Sequence, residues 1–253
     1  MEISSPHGLV IAIDGPSGSG KSSASKGVAR KLGLRYLDTG AMYRALTWWF
    51  MAEQADTADA VLVAARAAEP VIEVSTDPDD PWTRVNGRDV STEIRTPEVS
   101  VQVSGVAQVP AVREHLIAQQ RAIIAAANPG IVAEGRDIGT VVARNARLKV
   151  FLTADPGARA RRRAAETRAD AGATEAAQAR RDRLDAAQSE KAADALLLDA
   201  TDLTLDEVIG EIARLARERG LDLFAPDRTE MIRQAGHEHE GKGSMACVVD
   251  KSG

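Results

Sequence analysis

The chain has 253 residues, 44% of them apolar and 27% charged, the composition of a globular protein with its own core rather than a disordered one. A formal net charge of -5 offers no general attraction to nucleic acid or an anionic membrane, so a bound polyanion needs a local cluster of arginines. The single cysteine, Cys247, excludes a disulfide framework within the chain and fits a reducing, cytoplasmic setting.

The first element is the apolar run Leu9 to Ile13. No basic n-region precedes it, so it suits a buried strand rather than a signal peptide. Asp14-Gly15-Pro16 stops it. No apolar run approaches the ~20 residues that a membrane crossing needs. From Lys21 onward Ala24, Val28, Ala29 and Leu32 recur at helical spacing, and Gly33 supplies the stop. Strand, glycine-rich loop and helix make the opening unit of an α/β domain.

A second strand ends near Leu37, followed by a helix over Ala41 to Met51 with Met42, Leu46, Trp49 and Phe50 along one side. Ala58 to Ala68 reads as another helix, ended by Pro70. The texture then changes: Val71 to Val74 and Thr83 to Val90 read as short strands, with Asn86-Gly87 a hairpin turn signal. Two short strands bury little by themselves, so this part is expected to be a small lobe, about 68–105, inserted in a larger domain.

A helix over Ala111 to Ala127 has Val112, Leu116, Ile123 and Ile124 inward. Strands follow at Ile131 to Ala133 and Leu148 to Leu152. Pro156 to Ala187 is rich in alanine, arginine and aspartate, helical by propensity but weakly striped. A break near Gly172 makes it a candidate solvent-facing hairpin, or lid, over about 157–190. Ala195 to Leu198 is the last strand. Thr204 and Glu207 form a capping box for a final helix whose apolar face is Leu205, Val208, Ile209, Ile212 and Leu215. The expected domain therefore runs over 1–225, and 226–253 forms a polar, aperiodic tail. His237-Glu238-His239-Glu240 in that tail matches no closed zinc pattern.

Gly15-Pro16-Ser17-Gly18-Ser19-Gly20-Lys21-Ser22 matches G-x-x-x-x-G-K-S/T in full, between a strand and a helix. Its glycines let backbone N–H groups turn toward phosphates, and the helix adds its positive end at the same point. Lys21 reaches the terminal phosphates of ATP, and the Ser22 hydroxyl suits Mg²⁺. Ser23 completes the expected ATP-binding stretch. The motif specifies a nucleoside triphosphate without specifying a kinase.

Two features favour a small-molecule kinase. Arg159, Arg161, Arg162, Arg163, Arg168, Arg180, Arg181 and Arg183 concentrate charge on the proposed lid, which suits stabilisation of a transferring phosphoryl group. Arg44, Arg113 and Arg136 stand at element ends. Arg136-Asp137 and Asp38-Thr39 follow strands, on the crevice side of an open sheet.

At these residues the chain resembles the bacterial cytidylate kinase family of the nucleoside monophosphate kinase superfamily. The carrying motifs are IDGPSGSGKSS, LDTGAMYR, VNGRDVSTEIRTPEVS, VPAVRE, AEGRDIGTVV, KVFLTADPGARARRR and DALLLDATDLTLDEVI. The resemblance implies a P-loop NTPase-type parallel sheet flanked by helices, a β-containing acceptor-binding insertion and an arginine-bearing lid. It implies ATP with Mg²⁺ as donor, CMP and dCMP as acceptors, and a cytoplasmic monomer that binds neither nucleic acid nor membrane. Thr39 and Arg44 would contact the acceptor phosphate or its surroundings, Ser104 the cytosine, Arg113 and Arg136 cytosine or phosphate, and Asp137 the sugar. Asp185 would meet the acceptor sugar, while Arg181 bridges the transferred group and Arg162 adds charge from the lid.

A guanidinium at Arg113 can donate to O2 and N3 of cytosine, whereas uracil presents a donor at N3. One departure from the family pattern stands out: Gln188 occupies the position of a second lid arginine. Glu134 likewise replaces the usual aspartate, a milder change. The alternatives are a kinase of UMP, AMP or shikimate, and a regulatory protein that binds ATP with low turnover.

Overall fold

A computed structural model describes residues 9–167, 179–180 and 182–221. In chain order the elements are β1 (Leu9–Asp14), α1 (Lys21–Leu32), β2 (Arg35–Asp38), α2 (Thr39–Ala52), α3 (Ala60–Arg66), β3 (Ile72–Val74), β4 (Thr83–Val85) and β5 (Arg88–Asp89). There follow α4 (Pro97–Gln108), α5 (Pro110–Ala126), β6 (Gly130–Gly135), β7 (Leu148–Thr153), α6 (Pro156–Thr167), β8 (Leu196–Asp199) and α7 (Leu205–Glu218).

Five strands pair in parallel in the order β2-β6-β1-β7-β8. Both faces of this sheet are covered, which is why β1 is apolar throughout rather than alternating. Ile11 and Ile13 point to the side where α1 and α7 supply Ala24, Val28, Leu32, Val208 and Ile212. Val10 and Ala12 point to the other side, onto Met42, Leu46, Phe50 and Leu116 from α2 and α5. Each buried valine, leucine, isoleucine, methionine or phenylalanine among these contributes about 1.5–3 kcal/mol. This is the α/β P-loop architecture expected from the sequence.

β3, β4 and β5 form a separate antiparallel sheet. Asn86 and Gly87 both take positive φ, 51° and 79°, between β4 and β5, as a two-residue hairpin requires. Its apolar residues Ile72, Val85 and Val90 join the cluster around α2. Arg88 also stacks over Trp48 at 5.2 Å. The small sheet thus shares a core with the helix that follows β2.

α4 was absent from the sequence expectations. Its valines (Val99, Val101, Val103, Val106) are weak helix formers, but Thr96-Pro97-Glu98 starts it with proline in the first turn. Burial of Val99, Val103 and Val106 outweighs the propensity. In α7 the capping box is present, with Val208 and Ile212 buried. Leu205, assigned to the same face by spacing, is the first helical residue and stays 48% exposed. The proposed break at Gly172 and the tail 226–253 lie outside the described residues. Among the described residues no helix is long and apolar enough to cross a membrane.

Candidate active site

The carboxyl end of central β1 runs directly into the phosphate loop. Gly15 has φ +150°, and a Cβ there would lie 2.0 Å from the Leu152 carbonyl oxygen, so only glycine lets the loop pack on β7. Beneath it the Asp14 carboxylate accepts from the backbone N–H groups of Ile138 and Gly139, each at 2.8 Å. Burial raises the Asp14 pKa, against the pull of these N–H groups. Three successive loop carbonyls each meet a cation. Arg136 Nη1 donates to Gly15 O at 2.6 Å, Lys21 Nζ to Pro16 O at 2.7 Å and Arg159 Nη1 to Ser17 O at 3.0 Å. α1 then starts after Gly20, which has no side chain to cap the first-turn N–H groups. The positive end of the α1 dipole therefore lies where an anion would be favoured.

A cavity of about 480 Å³ opens above the loop. Ser17, Gly18, Gly20, Lys21, Ser22 and Ser23 line it, while Gly15, Pro16 and Ser19 do not. All eight residues expected at the acceptor line the same cavity: Asp38, Thr39, Arg44, Ser104, Arg113, Arg136, Asp137 and Asp185. Six cationic side chains and four carboxylates face it. A chain of net charge -5 thus presents a locally positive cleft, suited to more than one phosphate group.

Each wall has a structural reason. Asp38 caps α2, accepting from Ala41 N at 2.9 Å, and pairs with Arg95 at 3.3 Å. Thr39 Oγ1 donates to the Glu134 carbonyl at 2.7 Å, packed so closely that a Cβ at Gly135 would lie 2.6 Å from it. Arg44 Nη1 donates to Ile94 O at 3.1 Å and Ser100 Oγ at 2.9 Å, holding the turn before α4. Arg113 on α5 is paired with Asp137. Arg136 also donates to Asp185 Oδ2 at 3.1 Å. Ser104 Oγ is buried with no hydrogen-bond partner among the described residues. Such an orphan hydroxyl costs free energy unless a ligand fills its place.

Beside Lys21, the Ser22 hydroxyl donates to Glu134 Oε2 at 3.0 Å, and Tyr36 donates its phenol proton to Oε1. Burial, and then the charge of Asp38, push the Glu134 carboxyl up to about 7, against the pull of Lys21. A hydroxyl and a carboxylate side by side are the hard oxygen donors that suit Mg²⁺.

Other expected residues lie elsewhere. Arg162 turns to the carbonyls of Ala200, Thr201 and Leu203 and is absent from the cavity lining. Arg181 lies outside the described residues. Gln188 does face the cavity, with Nε2 3.4 Å from Ala107 O. Tyr43 and Arg95 were not singled out from sequence. Both sit inside the quoted motifs LDTGAMYR and VNGRDVSTEIRTPEVS, which was the available signal.

Residues 11–218 match the family model described as cytidylate kinase. A cytidylate kinase of Streptomyces griseus is 52% identical over 206 residues, covering 79% of this chain and 89% of that protein. A cytidylate kinase of Streptomyces avermitilis is 49% identical over 216 residues, 83% of this chain and 94% of that protein. The cytidylate kinase of Nocardia farcinica is 46% identical over 220 residues, with coverages of 83% and 94%.

Proposed function

The chain belongs to the cytidylate kinase family, and from that premise we propose that it transfers the terminal phosphoryl group of ATP to CMP and dCMP. The observation that supports this most is one cavity lined both by a phosphate loop and by the whole acceptor set, including the orphan Ser104 hydroxyl.

The acceptor's phosphate enters between Arg44 and Arg136, and its base reaches Ser104 and Arg113. Binding requires Arg113 to share its donors between Asp137 and the cytosine O2 and N3. Uracil would leave one buried donor facing another, a loss of about 1–3 kcal/mol. Asp137 and Asp185 accept from the amine and hydroxyl groups of the nucleoside. An acceptor phosphate oxygen forms the new P–O bond as the bond to the ADP oxygen breaks. No general base is needed, because a phosphate monoester is already a nucleophile near neutral pH. Lys21 leaves Pro16 O for the terminal phosphates, and the first-turn N–H groups of α1 take up charge on the departing ADP. Ser22, with Glu134 beside it, would hold Mg²⁺, which neutralises phosphate charge when it accompanies ATP.

The reading includes a cytoplasmic monomer acting on small molecules, consistent with one cysteine and a net charge of -5. Formation of ADP against a panel of CMP, dCMP, UMP, AMP and shikimate under saturating Mg·ATP tests it. CMP and dCMP are expected to lead; a clear preference for any other acceptor would overturn the assignment.

A further inference from the structure

Ser17 of the phosphate loop is held at both of its backbone groups by residues that do not line the cavity. Its C=O accepts from Arg159 Nη1 at 3.0 Å and its N–H donates to Asp182 Oδ1 at 3.3 Å. The ring is closed by Arg159 itself, which pairs with Asp182 Oδ2 at 2.5 Å. Arg159 lies on α6 and is 9% exposed; neither residue lines the cavity.

This arrangement has a directional consequence. In a planar trans peptide, the C=O of one residue and the N–H of the next point opposite ways. Arg159 draws the Ser17 carbonyl away from the cavity and so turns the Gly18 N–H toward the cavity that Gly18 lines. The loop does not fix that orientation alone. Gly18 has φ +75° and Gly20 φ +89°, a region where glycine moves between conformers at little cost. Something must pin the peptide. Arg159 does so only while it is held there, and a guanidinium this buried needs a counter-charge. Asp182 supplies one.

We propose that Asp182 is a positioning residue for the phosphoryl donor, acting through Arg159 to keep the Ser17–Gly18 peptide turned so that an N–H faces the phosphates. This rests on the reading of the loop as an ATP site, and it assigns Asp182 no contact with the acceptor. Loss of the carboxylate should therefore weaken the donor and leave the acceptor alone. A role in stability alone would move neither constant selectively.

The test is Asp182→Asn in the full chain, with the dissociation constant for Mg·ATP, the KM for CMP and the thermal midpoint measured together. The constant for Mg·ATP should rise about tenfold, the worth of one charge-assisted hydrogen bond. The KM for CMP should stay at its wild-type value, the midpoint should fall because the buried Arg159 loses its charged partner, and Asp182→Glu should recover most of both losses. In an Arg159→Gln background, Asp182→Asn should add little further. Overturning results are Mg·ATP bound as tightly as or more tightly than by wild type, equal weakening of donor and acceptor, or additive effects of the two substitutions. Wild-type protein that fails to bind Mg·ATP would instead overturn the reading of the loop and this inference with it.

Discussion

At the scale of single residues, the cavity sorts its arginines by what already holds them. Arg44 and Arg136 each hold a backbone oxygen, with Ser100 and Asp185 as second partners, so they offer fixed charge. Arg113 is anchored on a carboxylate, so it can trade a bond with an incoming base. Arg113→Met should raise the KM for CMP at least tenfold and narrow the preference over UMP, a change worth about 1–3 kcal/mol; steady-state kinetics on both acceptors checks it. Gln188 gives a second prediction. Among the described residues its side chain makes only a long bond, to Ala107 O, and it faces the same cavity, so Gln188→Arg should bring another cation toward the transferred group. The turnover number for CMP should rise several-fold, the direction that added transition-state charge stabilisation gives. Equal rates would show that the amide costs nothing. Most of the acceptor residues were legible in the sequence because they fall in short motifs that follow strands, whereas Ser104 and Asp185 lie outside those motifs and came from the family resemblance. Arg162 shows where that stops, since an arginine-rich run does not say which side of α6 each guanidinium takes. Arg95 shows the other limit, because its pairing with Asp38 depends on a turn 57 residues further along the chain.

At the scale of elements, local chemistry gave those helices whose periodicity and caps agree. α1 buries the four apolar positions its spacing indicated and ends at Gly33 with φ 64°. α7 has its capping box. Thr204→Ala should remove the side-chain acceptor for Glu207 N and cost about 1 kcal/mol. In a domain of this size that lowers the thermal midpoint by about 2–4 °C, with the KM for CMP unchanged because Thr204 lies off the cavity. α4 was illegible for the opposite reason. Its valines look like strand residues, and only packing against α2 and α5 makes a helix of them. The consequence reaches function, since α4 carries Ser104. The residue came from the family resemblance, and the helix that carries it did not.

At the scale of the described fold, the parallel sheet with both faces buried followed from near-continuous apolar strands alternating with helices. The way the small β sheet shares a core with α2 did not, because its pairing is long-range. The same burial that builds this sheet sets a pH dependence. Glu134 is 3% exposed at the end of β6, and burial first, then Asp38, raises its carboxyl from 4.5 to about 7. The folded chain favours the neutral form, so this group's contribution is complete below its unfolded pKa and disappears as pH rises through the folded one. Ligand-free protein should lose up to ~3 kcal/mol from this source between about pH 4.5 and 7. Thermal midpoints across that range should fall in wild type more than in Glu134→Gln.

The central claim is that the phosphate loop and the acceptor wall work as one site. Incubation with Mg·ATP labelled in its terminal phosphate, with and without CMP, tests this most directly. The label should appear in CDP, with one ADP formed per CDP and little ADP formed without acceptor. Release of labelled inorganic phosphate at the same rate whether or not CMP is present would contradict the account.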